Sequence, residues 1–332
     1  MNLHMVTIKD IAERAGVSFS TVSKALLDSP LVKDKTKQHI HAIAQEMGYQ
    51  PNFAARRLVS KRSMVIGIIW PSIERAALSA LITNLNEQLE QEGYTTLLSM
   101  SHIDSAIATF LKFQVDAILV FGDRDETESS LSNNHLSPIP ILTYGAASHT
   151  LHSAVDVNRG QAIRLAVRHL AELGHRQIAF IGQPEIYDPL QAVKIEAFQN
   201  ELTQLGLPYK QYSILQMKGL AFHDGYLAAK RLLDNNIKTT AVISGGIDLT
   251  SGILRAFNEQ GLRVPRDLSV VSYDNLPQME ELEVPMTVVG VALAKIATTI
   301  TRTLLELIED PNTIRTVHLE PELVVRRSTQ HL

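Results

Sequence analysis

At 332 residues the chain is long enough for two or three domains at roughly 150 residues each, so a single small module is excluded. Apolar residues make up 45% and charged residues 20%, with 17 Gly and 13 Pro, which excludes collagen-like, low-complexity and wholly disordered chains. Cysteine is absent, so disulfides, thiolate metal sites and cysteine nucleophiles are excluded together, and a reducing compartment is favoured. The first ten residues lack the apolar core of a secretion signal, and no stretch reaches the roughly 20 apolar residues a bilayer requires. A cytoplasmic protein without membrane association is expected.

The net charge of −4 is unevenly placed. Residues 1–62 hold ten Lys/Arg (Lys9, Arg14, Lys24, Lys33, Lys35, Lys37, Arg56, Arg57, Lys61 and Arg62) against five Asp/Glu, a balance of +5. The remainder holds 21 against 30, a balance of −9. A basic head on an acidic body points to a polyanion-binding module joined to something else, the alternative being a chance surface bias.

In chain order, residues 6–48 read as three short helices. Ile8, Ile11, Ala12 and Ala15 form the first apolar face; Gly16-Val17-Ser18 interrupts it; Val22, Ala25 and Leu26 restart it. Ser18 suits the N-cap of the second helix. Ile40, Ile43, Ala44 and Met47 make the third face, stopped by Gly48. A Gly-containing turn between two helices makes a helix-turn-helix, for which Ala12 and Gly16 suit a close crossing; an ordinary three-helix bundle is the alternative. After Pro51, residues 52–60 are helix-competent but too short to be stable alone in water.

From Met64 onward, near-continuous apolar runs alternate with amphipathic helices. Strands are expected at 65–69, 95–100, 117–121, 139–144, 178–181, 241–244 and 268–273, with a helical stripe of Leu78, Leu81, Ile82, Leu85 and Leu89 between the first two. This alternation predicts doubly wound parallel sheets, more than one of which fits in 270 residues. Ligands of such sheets bind beyond the carboxyl ends of the strands, which places Trp70, Gly122, Tyr144, Gly182, Gly245 and Asp274 toward a cleft.

Signals of catalysis are missing: no G-x-G-x-x-G follows a strand, and no phosphate loop, H-E-x-x-H or G-x-S-x-G occurs. Glu280-Glu281-Leu282-Glu283 reads as a solvated turn, and His39 and His41 would fall on different helix faces, so no metal site and no cofactor is expected.

Val6-Thr7-Ile8-Lys9-Asp10-Ile11-Ala12, Ala15-Gly16-Val17-Ser18, Thr21-Val22-Ser23-Lys24 and Gly48-Tyr49-Gln50-Pro51-Asn52 resemble the DNA-binding head of the LacI/GalR family of bacterial transcription regulators. The resemblance continues through His169-Leu170-Ala171-Glu172-Leu173-Gly174-His175-Arg176, Gly261-Leu262-Arg263-Val264-Pro265, Ser272-Tyr273-Asp274 and Pro321-Glu322-Leu323-Val324, covering about residues 6–328. It implies an α/β core of two doubly wound parallel-sheet lobes, like periplasmic binding proteins, behind an all-α helix-turn-helix head. The implied division is 1–50 head, 51–62 hinge, 63–158 plus about 290–318 first lobe, and 159–289 plus about 319–332 second lobe.

The resemblance further implies a non-enzymatic, homodimeric repressor of pseudo-palindromic operator DNA, controlled by a small sugar-like effector between the lobes. Ser18, Phe19, Ser20, Thr21, Ser23 and Lys24 would meet the major groove and its phosphates. Asn52, Ala55, Arg56 and Leu58 would enter the minor groove, Leu58 as a wedge between base pairs. Trp70, Ser72, Lys194, Phe222 and Asp274 are the effector candidates, Trp70 and Phe222 as stacking platforms. Several positions depart from the family pattern. Lys24 and Lys194 stand where relatives commonly carry arginine, Lys33 stands where serine caps the third helix, and Gly246-Ile247 replaces an Asn-Asp pair that holds sugar hydroxyls. Arg75-Ala76-Ala77-Leu78 replaces a polar-aromatic segment, and the stretch between 97 and 115 is short. A plain hexose is therefore disfavoured and a phosphorylated or acidic sugar is conceivable. An effector-independent regulator and a solute-binding protein remain as alternatives, the latter calling for a signal sequence and no basic head.

Overall fold

The computed structural model describes residues 6–26, 28–49, 62–70, 73–122, 137–145, 152–184, 188–208, 213–234 and 238–332. The chain divides into two units, Met1–Ser63 and Met64–Leu332.

The first unit holds helices α1 (Ile8–Ala15), α2 (Phe19–Leu26) and α3 (Asp34–Glu46). Thr7 opens α1 with a reciprocal capping box: its backbone N–H donates to Asp10 Oδ2 at 2.7 Å, and its Oγ1 accepts from Asp10 N at 3.4 Å. Gly16 closes α1 at φ +64° with open space where a side chain would stand, so its role is the left-handed turn and not the close crossing expected of it. Ser18 Oγ accepts from Thr21 N at 3.1 Å and caps α2 as expected. Lys33 precedes α3 without offering a side-chain cap, also as expected. The three apolar faces meet in one core, with Ile11, Val22, Ala25 and Ile40 wholly buried.

The second unit is built on two six-stranded sheets. The first contains β1 (Val65–Ile69), β2 (Thr95–Ser99), β3 (Ala117–Phe121), β4 (Ile141–Tyr144), β5 (Ser153–Val157) and β11 (Thr316–Leu319), in the order β11-β5-β4-β3-β1-β2, all parallel. The second contains β6 (Ile178–Pro184), β7 (Ile214–Met217), β8 (Ala241–Ser244), β9 (Ser269–Asn275), β10 (Thr287–Ala292) and β12 (Glu322–Val324), in the order β12-β10-β9-β8-β6-β7. Only the edge strand β12 is antiparallel to its neighbour.

Helices cover both faces of each sheet, as all-parallel strands require. In the first lobe, α4 (Ala76–Gln91) and α11 (Leu293–Glu309) bury Leu81, Leu85, Leu89, Ile300 and Leu304 on one face, and α5 (Ile103–Phe113) buries Ala106, Ile107 and Phe110 on the other. In the second lobe, α6 (Arg159–Glu172) and α7 (Pro189–Gln204) cover one face around Phe180 and Phe198. The other face is covered by α8 (Phe222–Asp234) and α9 (Ile247–Glu259) around Leu232, Ile253 and Phe257. The acidic run expected as a solvated turn keeps its glutamates exposed and divides: Glu280 and Glu281 end a short helix, α10 (Gln278–Glu281), anchored by fully buried Met279, and Leu282 and Glu283 form the bend after it. The chain passes between lobes after β5, after β10 and between β11 and β12, so the first lobe is completed by a late segment.

Two buried histidines pin residues 328–332 to the second lobe. His175 bonds to Thr240 Oγ1 at 2.9 Å through Nδ1, and to Ser269 Oγ at 3.0 Å and Gln330 O at 3.1 Å through Nε2. His169 Nε2 meets Thr329 Oγ1 at 3.0 Å. Burial holds both imidazoles below the ordinary histidine range. The unfolded chain therefore takes up protons that the folded chain resists, so stability is full above the ordinary value of about 6.5 and declines as pH falls below it. The melting temperature is expected to drop between pH 7.5 and 5.5, with a shallower drop when His169 and His175 are both changed to Gln; equal slopes would contradict this origin.

Candidate functional site

Helix α2 turns Val22, Ser23 and Ala25 inward against the head core. Ser18, Phe19, Ser20 and Lys24 stand exposed, Phe19 at 52%, and Thr21 is half-buried. For Ser20 and Lys24 this follows from helical periodicity, since positions 22, 25 and 26 share the buried stripe and 20 and 24 lie across from it; Phe19 lies on the stripe side but is exposed as the first residue of the helix. Ser23 departs from expectation. It is only 8% exposed, because it adjoins the apolar stripe, and it is not presented to a partner. The hinge candidates Asn52, Ala55, Arg56 and Leu58 lie outside the described residues.

The larger constellation lies between the lobes, beyond the carboxyl ends of the strands. The first lobe contributes Phe121 from the end of β3, Tyr144 from the end of β4, Val157 from the end of β5 and Arg75 from just ahead of α4. The second lobe contributes Arg159 from the start of α6, Asp188, Gln191 and Lys194 from the start of α7, and Tyr273 and Asp274 from the end of β9. The enclosed part of the cleft is small, about 80 Å³, and it opens to solvent between the lobes.

Its electrostatics are set by burial. Lys194 is 3% exposed; its Nζ donates to Gly245 O at 3.1 Å and sits 3.4 Å from the centre of the Tyr273 ring. Loss of hydration lowers the Lys194 pKa to about 7; Asp274 and Asp188 oppose this, and Arg159 and Arg75 add to it. Burial also disfavours the Arg159 charge. The ion pair with Asp156 outweighs that and holds the guanidinium above its ordinary range. Burial pushes Tyr144 up to about 12 and raises Tyr273 further, so both phenols stay neutral donors. Asp274 sits at φ +82°, a left-handed conformation uncommon outside glycine, and aims the end of β9 at the cleft. Across the lobes, Ala76 N donates to Asp248 Oδ2 at 3.2 Å, so α9 caps the start of α4, whose own N-cap Arg75 supplies no side-chain bond. Burial raises the Asp248 pKa.

Of the five effector candidates, Lys194 and Asp274 line the cleft. Ser72 lies outside the described residues. Trp70 is corrected: it is wholly buried, packed 4.8 Å from Phe121, and offers no face to a ligand. Phe222 is corrected too: it stands 48% exposed at the first position of α8 and is not among the residues lining the cleft. The sequence reading passed over Arg159, Gln191 and Tyr273 as contributors. Arg159 was hidden because β5, the strand it follows, has the weakly apolar sequence Ser-Ala-Val-Asp-Val. Among the described residues no group of three or more His, Asp or Glu could hold a metal ion, and no helix is long and apolar enough to cross a membrane.

Comparison with known proteins bears on both units. Residues 7–52 match the model of bacterial regulatory proteins of the lacI family, and residues 167–329 match the periplasmic binding protein-like domain. The chain is 31% identical over 336 residues to the HTH-type transcriptional repressor PurR of Yersinia pestis (strain Pestoides F), covering 98% of this chain and 97% of that protein. It is 29% identical over 307 residues to Catabolite control protein A of Priestia megaterium, covering 88% and 92%. Among solved structures, a Lac repressor dimer bound to operator and the anti-inducer ONPF is similar at TM-score 0.85 and 25% identity, over 98% of this chain and 99% of that one. A complex of the transcriptional regulator CelR with cellobiose shares the fold at TM-score 0.70 and 24% identity, over 97% and 99%. A helix-turn-helix head, a two-lobed core and 31% identity to a repressor over nearly the whole of both chains converge: the chain belongs to the LacI family of bacterial regulatory proteins.

Proposed function

We propose that this chain is a transcriptional repressor that binds pseudo-palindromic operator DNA as a homodimer in the cytoplasm and answers to a small polar effector held between its lobes. The observation that carries the DNA-binding half is the face of α2, where Ser18, Phe19, Ser20 and Lys24 are exposed on a helix whose other side is locked into a core. A rigid helix with short hydroxyl side chains, one aromatic and one cation suits the major groove, where hydroxyls and ammonium groups meet base edges and phosphates. Thr21 contributes from the margin, and Asn52, Ala55, Arg56 and Leu58 serve the minor groove. Two-fold symmetry of the protein would be mirrored in the operator.

The effector half is supported by the cleft, whose walls come from both lobes, so a ligand there biases their relative angle.

The test is selection of bound sequences from random duplex DNA, followed by titration of the selected site against salt. Affinity is expected to fall steeply with salt as phosphate contacts release counterions, and an affinity independent of salt would overturn the reading. Changing Lys24 to Ala is expected to weaken binding roughly 10-fold and, if the ammonium meets a phosphate, to lower the salt slope by about 0.9. Unchanged affinity and slope would remove Lys24 from the interface.

A further inference from the structure

The polar groups of the cleft divide into those satisfied within the protein and those that are not. Arg159 is engaged by Asp156 and by the carbonyl of Val157 at 3.2 Å. Asp188 caps α7, its Oδ1 accepting from Leu190 N at 2.9 Å and Gln191 N at 3.1 Å. Among the described residues two buried atoms of the cleft lining have no partner: Nε of Arg75, a donor on the first lobe, and Oε1 of Gln191, an acceptor on a side chain only 3% exposed in the second. Burying such atoms unsatisfied is costly, and in a binding cleft it marks where a ligand supplies what the protein lacks. Lys194 adds a third opening, because its hydrogen bond to Gly245 O uses one of three ammonium hydrogens.

We propose that the ligand of this cleft is a small hydroxylated acid, its carboxylate or phosphate held by Arg75 of the first lobe and Lys194 of the second, with a ligand hydroxyl donated to Gln191. This rests on the cleft being the effector site and names the effector's chemistry. The unmet donor Arg75 Nε, and the Lys194 hydrogens not taken by Gly245 O and the Tyr273 ring, call for acceptor oxygens, and an anion supplies two on one group. The unmet acceptor, Gln191 Oε1, needs an O–H, as does Asp274, which a carboxylate ligand alone would repel.

Binding should also take up a proton. Burial sets Lys194 near 7, with Asp274 and Asp188 raising it and Arg159 and Arg75 lowering it; a ligand anion beside it restores the charged form. Tyr273 and Tyr144, the other titratable groups facing it, stay protonated across the neutral range. Affinity for a carboxylate, which is itself ionised throughout, is therefore expected to be full below pH 7 and to fall as pH rises above it.

Isothermal titration of the full chain with D-gluconate, D-glucuronate, D-glucose 6-phosphate and D-glucose tests this, the first two against the third separating carboxylate from phosphate. At least one acid is expected to bind about 100-fold tighter than glucose, and a carboxylate ligand to bind about 10-fold more weakly at pH 9 than at pH 6.5. Lys194→Met should lose most of the affinity and the pH dependence, whereas Lys194→Arg should keep affinity and bind equally at both pH values, because guanidinium does not titrate there. Should Lys194→Met fail to fold, Arg75→Gln serves in its place. Glucose binding as tightly as the acids, or wild-type affinity in these neutralised variants, would overturn the anion assignment and leave the cleft as an effector site. Silence of all four compounds with operator binding intact would overturn the assignment and leave only the DNA-binding reading standing.

Discussion

Gly252→Ala is expected to destabilise the second lobe by about 3 kcal/mol or more, and a larger residue there to prevent its folding. A β-carbon on Gly252 would stand 2.0 Å from the carbonyl oxygen of Phe222 and 2.6 Å from Tyr226 N. The facing Gly225 is in the same position, its β-carbon 2.3 Å from Leu249 O. Helices α8 and α9 thus touch backbone to backbone, and the obstructing atoms belong to helical main chain that cannot rotate aside as a side chain could. The control is Gly206→Ala, where φ is +63° and nothing lies within 4 Å, so the cost is left-handed strain alone, about 1–2 kcal/mol. Urea unfolding of the three proteins checks the ranking; Gly252→Ala no worse than Gly206→Ala would show that the two helices can part cheaply.

Trp70→Ala should cost about 3–5 kcal/mol, while Trp70→Phe should cost less than about 1.5. Trp70 is wholly buried in the first-lobe core and packs on Phe121, which itself lines the cleft. Alanine leaves a cavity the size of an indole. Phenylalanine fills much of it and discards Nε1, a buried donor that has no partner to lose. Because Trp70 is the only tryptophan, its emission reports on this one site and is expected to be blue-shifted and shielded from acrylamide. Emission typical of exposed indole would return Trp70 to the role of a stacking platform.

Trp70 also shows how far the sequence could be read. Its place after β1 suggested the cleft, yet the two-residue period of a strand puts it on one face with Ile66 and Ile68, whose face is covered by α4 and α11. Val65 and Ile69 point to the other core, with α5. The alternation was visible; which face met which helix was not, because that depends on sheet order. Strands β1, β3 and β8 were legible as unbroken apolar runs, since burial on both faces leaves them no polar period. Strand β11 escaped notice because an edge strand with the burial pattern exposed, intermediate, exposed, buried resembles a loop in composition. Strand β10 escaped despite its apolar sequence, Gly290 standing inside it at φ +151° where Asn275 passes close by. In the head, helix faces and the Ser18 cap followed from local spacing. In the cleft, Lys194 and Asp274 were found by position in the family pattern, but Arg75, Arg159 and Gln191 converge from three separate segments, and that meeting is tertiary.

The route of the chain through the two sheets constrains how the protein is made. The first lobe begins at β1 but draws α11 and β11 from residues 293–319, and α11 carries Ile296, Ile300 and Leu304 of its core. A ribosome that has released α4 and β1–β5 has therefore released a sheet with one face half bare, whereas β6 through β10 of the second lobe emerge as one continuous run. The second lobe can complete most of its packing first and the first lobe only near the end of synthesis. The nascent head, independent of both sheets, is free to fold before either.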